Sequence, residues 1–253
     1  METILHSVQK NNERAVLSTD EFLELAVHDL DAPLRKLMLL TERMEEKYKS
    51  LSLPDELSPY LQRISSCAND MRILIDDLHL LTAIKEETVE FTACKLDEII
   101  QQVLKQLHVY IEDNAVSISL NPLPIVKGDK KLLELLFKNL VKNAIQFRSA
   151  DDDPSITIRS FEISATEKDN LQLEPGKEYY RIEVIDNGVG FKNGDIQKIF
   201  SPFVSLHGKS KLRGSGMGLA TCEKIVALHN GVISATGNEE RGATFFIILP
   251  QPH

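Results

Sequence analysis

Asp186-Asn187-Gly188-Val189-Gly190-Phe191, then Ile199-Phe200-Ser201-Pro202-Phe203, then Gly214-Ser215-Gly216-Met217-Gly218-Leu219-Ala220 form the stretch that decides how this chain reads. Two glycine-rich turns flank an aromatic-proline element and a basic loop. Glycine lets backbone come close to a ligand and reach positive φ. A glycine-rich turn that runs into a helix presents free N–H groups and the positive dipole end to phosphate. An acidic residue just before the first turn can read a base. Together these residues lay out a nucleotide pocket.

Composition bounds the rest. The chain has 253 residues, 42% of them hydrophobic, enough for one large core or two small ones. A net charge of −9 argues against a nucleic-acid binder, because it leaves no excess cation to neutralise phosphate. Three cysteines, Cys67, Cys94 and Cys222, are odd in number and far apart, as reduced thiols in a cytosolic protein would be. No apolar run approaches a membrane span, and the opening METILHSVQKNNERA is too polar for a signal peptide. The expectation is a soluble cytoplasmic chain without membrane contact, or the cytoplasmic piece of something longer.

The pattern changes near residue 90, which suggests a helical domain over 1–90 and a mixed domain over 91–253. Residues 1–88 contain no glycine. Leu57, Ile64, Met71 and Leu78 repeat every seven residues, with Leu61, Ala68 and Ile75 as a second row. That is an a/d seam suited to a coiled coil or bundle. An earlier helix is expected over about 18–50, capped by Ser18, Thr19 or Asp20, with a break at Leu51–Asp55. Two helices joined by a short turn make a hairpin, and two alone bury their apolar faces poorly. A second copy would complete a four-helix bundle, so a homodimer is expected.

Beyond residue 90 the reading is α and β. Helices are expected over Leu96 to about Asn114, Asp129–Phe147 and Gly218 to about His229. Strands are expected at Val116–Leu120, Ile156–Ile163 and Tyr180–Ile185, the last two pairing across a long loop, and at Val232–Thr236 and Ala243–Leu249. The sum is an α+β chain: a helical hairpin followed by an α/β sandwich, a sheet covered on one face by about three helices.

With these elements placed, the chain resembles the transmitter region of a two-component sensor histidine kinase over about residues 20–250. His28-Asp29-Leu30-Asp31-Ala32-Pro33-Leu34 resembles that family's phospho-acceptor box. Asn139-Leu140-Val141-Lys142-Asn143-Ala144 resembles its asparagine box, and the stretches at 186–191, 199–203 and 214–220 its glycine and phenylalanine boxes. The Ala-Pro-Leu variant and the Phe147-Arg148 ending resemble the phytochrome-like subgroup. The resemblance implies an ATP-binding domain of the histidine kinase, gyrase and chaperone ATPase type. It implies autophosphorylation of His28, then transfer to an aspartate of a response regulator docked near residues 34–45 and 65–80. It implies ATP and Mg²⁺ as cofactors, with Asn143 as metal ligand, Asn139 beside the phosphates and Asp186 accepting from the adenine amino group. It places Gly188, Gly190, Gly214, Gly216, Gly218 and Leu219 against the nucleotide.

Physical chemistry weighs these roles against blander ones. Neutral imidazole is a nucleophile at physiological pH, and Asp29 could hold its tautomer or take its proton, although an isolated helix histidine is usually a surface residue. Pro33 removes an intrahelical hydrogen bond and should bend the helix near His28. Asn139 and Asn143 lie four apart on one helix face; otherwise they are surface asparagines. An amide cannot serve as general base, so Asn139 argues against an ATP-hydrolysing switch. His207, Lys209, Lys211 and Arg213 fall in the expected ATP lid, and Phe200 and Phe203 are expected to anchor it in the core. Departures from the pattern at Asp31, Ala32 and Gln146 put phosphatase activity in doubt and keep a catalytically weak phosphotransfer scaffold as the alternative.

Overall fold

A computed structural model describes residues 19–50, 58–85, 89–171, 173–204, 215–239 and 241–252. The chain falls into two compact units, Met1–Ala83 and Ile84–His253.

The first unit is a pair of helices, α1 (Thr19–Ser50) and α2 (Ser58–Ala83). Each buries one stripe at seven-residue spacing against the other: Val27, Leu34 and Thr41 on α1, and Leu61, Ala68, Ile75 and Thr82 on α2. The second row legible in α2 is only partly covered among the described residues: Leu78 packs against the hairpin core, but the two positions before it do not. Ile64 is 45% and Met71 47% exposed, and on α1 Leu30, Leu37 and Met44, again seven apart, are exposed as well. Leu57 and Ser18 lie outside the described residues. Ser65 Oγ donates to Glu45 Oε1 across the pair (2.5 Å), a polar contact that fixes which turns face each other. α1 runs on as helix through Pro33. Asp31 pairs with Arg35 one turn away, so the acidic side chain at that position is neutralised locally.

The second unit opens with β1 (Thr92–Lys95), then α3 (Leu96–Gln106), α4 (His108–Asp113), β2 (Ser117–Leu120) and β3 (Ile125–Gly128). It continues through α5 (Lys130–Gln146), β4 (Ser155–Glu162), α6 (Ala165–Asn170), β5 (Tyr179–Asp186), α7 (Ile196–Ile199), α8 (Gly218–Leu228), β6 (Val232–Asn238) and β7 (Gly242–Pro250). The five-stranded sheet has the order β2-β4-β5-β7-β6; β2 runs parallel to β4 and the other pairs are antiparallel. Alternate residues point to one face: Ile156 and Ile158, Ile182 and Val184, Phe245, Ile247 and Leu249. They share a single core with Ile99, Ile100 and Val103 of α3, Leu133, Leu136, Phe137 and Leu140 of α5, and Ile225 and Val226 of α8. On the opposite face Glu183, 4% exposed, is held between Arg159 Nε (2.8 Å) and Arg181 Nε (3.0 Å).

Three details differ from the sequence reading. The single helix expected over 96–114 breaks at Leu107, whose φ of −96° and ψ of 6° leave the helical region. The loop between β4 and β5 contains α6, started by a capping box in which Glu167 N donates to Ser164 Oγ (3.3 Å) and Ser164 N to Glu167 Oε2 (3.2 Å). A two-stranded sheet, β1 with β3, was not expected: Thr92–Lys95 and Ile125–Gly128 are short and do not alternate strictly between apolar and polar residues.

α5 is the element that positions the site. Asp129 caps it, accepting from Lys131 N (2.9 Å) and Leu132 N (3.1 Å) through Oδ1. Its buried face locks the helix against the sheet. Truncating Leu140, which is fully buried, to alanine is expected to destabilise the second unit by about 2–5 kcal/mol in denaturant melts.

Candidate functional site

Asp186 ends β5 and is 8% exposed. Its Oδ1 accepts from Gly188 N (2.9 Å) and Ala243 N (3.2 Å); among the described residues Oδ2 accepts from none, so it could take a ligand donor. Burial pushes the carboxyl up from 3.8 to about 6; the two backbone hydrogen bonds oppose the rise. The group is therefore a desolvated acceptor with fixed orientation, suited to a planar N–H donor.

The turn after Asp186 is fastened to the end of α5. Val189 N donates to Phe147 O (2.9 Å), and a Cβ on Gly188 would stand 2.3 Å from that same carbonyl. Gly190, at φ +62°, lies where a Cβ would meet Asn238 O at 2.0 Å. These two glycines thus permit close approach of backbone to the protein's own carbonyls, where the sequence suggested approach to a ligand. Asn187 adds a second tie: its Oδ1 accepts from Ser155 N (2.7 Å) and its Nδ2 donates to Asp153 O (2.9 Å). Asn187 and Phe147, both within the quoted motifs, build the site in roles that the sequence did not assign to them. Asparagine before glycine reads as a turn signal, and a backbone carbonyl leaves no mark in sequence.

Asn139 and Asn143 lie one turn apart on α5. Asn139 Nδ2 donates to Gly218 O at the start of α8 (3.4 Å), and its amide also bonds the buried Cys222 thiol, whose Sγ reaches Leu136 O at 3.7 Å. Burial pushes that thiol up, so it stays protonated. Among the described residues the Asn143 amide has no hydrogen-bond partner, so its oxygen is available to a cation or a donor. Among the described residues no three of His, Cys, Asp and Glu group as metal ligands. A hard cation here would combine one amide oxygen with ligand oxygens and water; Mg²⁺ usually keeps several waters and takes substrate phosphate oxygens.

The structure thus brings Asn139, Asn143, Asp186, Gly188, Gly190 and Gly218 onto one framework, with α5 as the shared wall. Gly218 and Leu219 open α8, and Gly216 O accepts from Phe203 N (3.1 Å). Phe200 is buried as expected, but Phe203 is 57% exposed. Its backbone, tied to Gly216, sits at φ +64° and turns the ring outward, which corrects the expectation that it anchors the core. Gly214, His207, Lys209, Lys211 and Arg213 lie outside the described residues. His28 and Asp29 are on α1, and their side chains lie outside the described residues. A separate cavity of about 90 Å³ beside Phe91, Lys127 and His229 sits at the Tyr179–Pro250 end of the sheet, away from Asp186, and is far too small for a nucleotide.

Comparison with known proteins agrees with this layout. Residues 128–253 match the family model described as histidine kinase-, DNA gyrase B- and HSP90-like ATPase, and residues 18–87 the His Kinase A (phospho-acceptor) domain. The phytochrome-like protein Cph1 of Synechocystis sp. is 28% identical over 246 residues, 97% of this chain and 31% of that protein. The sensor protein KdpD of Escherichia coli is 30% identical over 233 residues, 88% of this chain and 23% of its own. The chain spans under a third of these relatives' length. Full-length ShkA, solved in complex with AMPPNP, superposes with a TM-score of 0.65 at 20% identity, covering 92% of this chain and 46% of that one. Histidine kinase ThkA, solved with response regulator protein TrrA, gives 0.60 at 21%, covering 89% and 60%. At such identities these two structures speak for the fold. Among the described residues no helix is long and apolar enough to cross a membrane.

The raised carboxyl makes a stability prediction. Because the folded pKa lies above the unfolded one, Asp186's contribution is present in full below pH 3.8 and is lost as pH rises through about 6. Asp186→Asn keeps the Oδ1 acceptor and removes the buried charge. It is expected to stabilise the ligand-free protein by about 1–3 kcal/mol at pH 7.5, with the gap closing toward pH 4, in denaturant melts at the two pH values.

Proposed function

This chain belongs to the sensor histidine kinases, as a transmitter region of the phytochrome-like kind, and from that premise we propose that it is an ATP-dependent protein-histidine kinase that phosphorylates its own His28. The observation that carries the reading is the buried Asp186 carboxylate, its Oδ2 without a partner among the described residues, on a turn fastened to the helix that bears Asn139 and Asn143.

Asp186 Oδ2 accepts from the adenine amino group. Guanine has a carbonyl at that edge, and a hydrogen bond to a charged group is worth about 1.5–3 kcal/mol, so ATP is preferred over GTP by at least about tenfold. The backbone of Gly216, Gly218 and Leu219 faces the phosphates at the positive end of α8. Asn139, whose amide is already committed to Gly218 O and Cys222, holds that helix start in place. It has no basicity with which to activate water, so the pocket is built to deliver phosphate to a supplied nucleophile. Asn143 offers its oxygen to Mg²⁺, which when bound neutralises phosphate charge.

A nitrogen of the neutral His28 ring attacks the γ-phosphorus, the bond to the β,γ-bridging oxygen breaks, and ADP leaves with that electron pair. Asp29 orients the ring and takes its N–H proton. Transfer depends mainly on positioning and charge neutralisation. The phosphoryl group then passes to an aspartate of a response regulator docked on the helical hairpin around residues 34–45 and 65–80. The structure of ThkA with response regulator protein TrrA supports such a partner by analogy. On this reading residues 1–90 are the dimerisation and phosphotransfer domain and 91–253 the catalytic domain, and the chain works in the cytoplasm. The exposed second stripe, Leu30, Leu37 and Met44 with Ile64 and Met71, is the face that a second copy covers in a four-helix bundle.

Two experiments test this. With γ-labelled ATP and Mg²⁺, acid-labile label is expected in the wild type and none in His28→Gln, while Asn143→Ala and Asp186→Ala fall at least about tenfold, the loss of one charge-assisted contact. Label that persists in His28→Gln would remove the site. In analytical ultracentrifugation the wild type is expected to be a dimer and the double variant Ile64→Glu/Met71→Glu a monomer; a monomeric wild type overturns the bundle.

A further inference from the structure

The connection between α5 and β4 grips the turn after Asp186 at both of its own ends. At the α5 end, Phe147 O accepts from Val189 N (2.9 Å). At the β4 end, Asn187 Nδ2 donates to Asp153 O (2.9 Å), and Ser155 N donates to Asn187 Oδ1 (2.7 Å). Backbone pairing of β4 with β5 stops at Ile156 and Asp186. The Asn187 side chain carries the pairing one step further, because its amide offers the N–H and the C=O that a peptide group would. A carbonyl and an N–H opposite it admit only that amide orientation, and a carboxylate of the same size would bring no donor. The edge that Asn187 holds is itself tied to β2, since Ser117 N donates to Pro154 O (2.9 Å).

These ties bear on the carboxylate next to them. Asp186 Oδ1 accepts from Gly188 N and Ala243 N. Gly188 stands between the two tied residues, Asn187 and Val189. The direction of its N–H, and with it the rotation of the carboxylate, follows from where those neighbours are held. The ties at Val189 and Ala243 are made by backbone and survive a change of side chain. The tie at Asn187 depends on the residue.

We infer that Asn187 is a positioning residue for base selection: its amide clamps the turn to the α5–β4 connection and so holds Asp186 Oδ2 in the orientation that tells a 6-amino purine from a 6-oxo purine. The inference rests on the adenine reading given under the proposed function. A hydrogen bond weakens steeply as donor and acceptor leave their line. A turn that can shift also admits water between Oδ2 and the base. The 6-amino group then loses its charge-assisted bond, while a 6-oxo group escapes repulsion because the water donates to both oxygens. Loosening therefore weakens binding of an adenine nucleotide and barely alters that of a hypoxanthine nucleotide. A general loss of structure acts differently: a smaller competent fraction weakens every ligand by the same factor.

Equilibrium binding of ADP and of inosine diphosphate to the full chain separates the two cases without any phosphoryl transfer. With Mg²⁺ at pH 8, where Asp186 is ionised, the wild type is expected to prefer ADP at least about tenfold. In Asn187→Ala the preference is expected to fall to about threefold or less, through weaker ADP binding. Its thermal midpoint should drop by no more than about 8 °C, because Asp153 is exposed and Ser155 half-buried, so water takes up the lost partners. Asn187→Asp keeps the bond to Ser155 N but sets a second acceptor against Asp153 O. It should lose the preference as well, and it carries the test if the alanine variant does not fold. A preference that stays at the wild-type value in the variants, whether both nucleotides bind as before or both weaken together, overturns the inference. If the wild type itself does not prefer ADP, the adenine reading has failed instead.

Discussion

One backbone carbonyl, that of Phe147, holds the candidate site together. α5 ends where this carbonyl accepts from Val189 N, and Gly188 must lack a side chain to let the strand pass so close. The bond makes the amide oxygen of Asn143 and the carboxylate of Asp186 parts of one rigid object. Packing of α5 under the sheet supplies that rigidity, since close-packed cores deform little. Moving either element would open the core and break the bond together.

Asp186 shows what this rigidity permits. A carboxylate that is 8% exposed and raised to about 6 is costly to keep ionised. Two amides directed at the same oxygen reduce that cost and leave the other oxygen without a partner among the described residues. A ligand that donates there relieves the remaining desolvation, so part of the recognition is stored in the empty protein. Asn139 works in the same spirit from the other side. It spends its donor on Gly218 O and sets the first turn of α8 against α5.

The polar groups of the second unit thus divide between two ends. At the Asp186 end they face a ligand. At the other end, Asp129 and His229 bond each other and the incoming chain. The same two helices connect both ends. In the first unit the unmet demand is apolar: a stripe from Leu30 to Met44 and another through Ile64 and Met71 remain in water within a single chain.

Much of this was legible in the amino-acid order. The longer helices and the five strands of the main sheet show their periods, and the glycine-rich turns and paired asparagines marked the candidate site, because those residue types have few other uses in that order. The strands β1 and β3 and the outward turn of Phe203 were not legible, since the first two are set by pairing with each other across about thirty residues and the last by the tie to Gly216. The sequence alone determined which side chains could do the chemistry, because nucleophile, amide oxygen and carboxylate are properties of residues. Only the tertiary structure decided that Gly188 and Gly190 yield to the protein's own carbonyls, that Asp186 is desolvated and that Asp129 reaches Glu90. Distance, burial and hydrogen-bond direction exist only once the chain has packed.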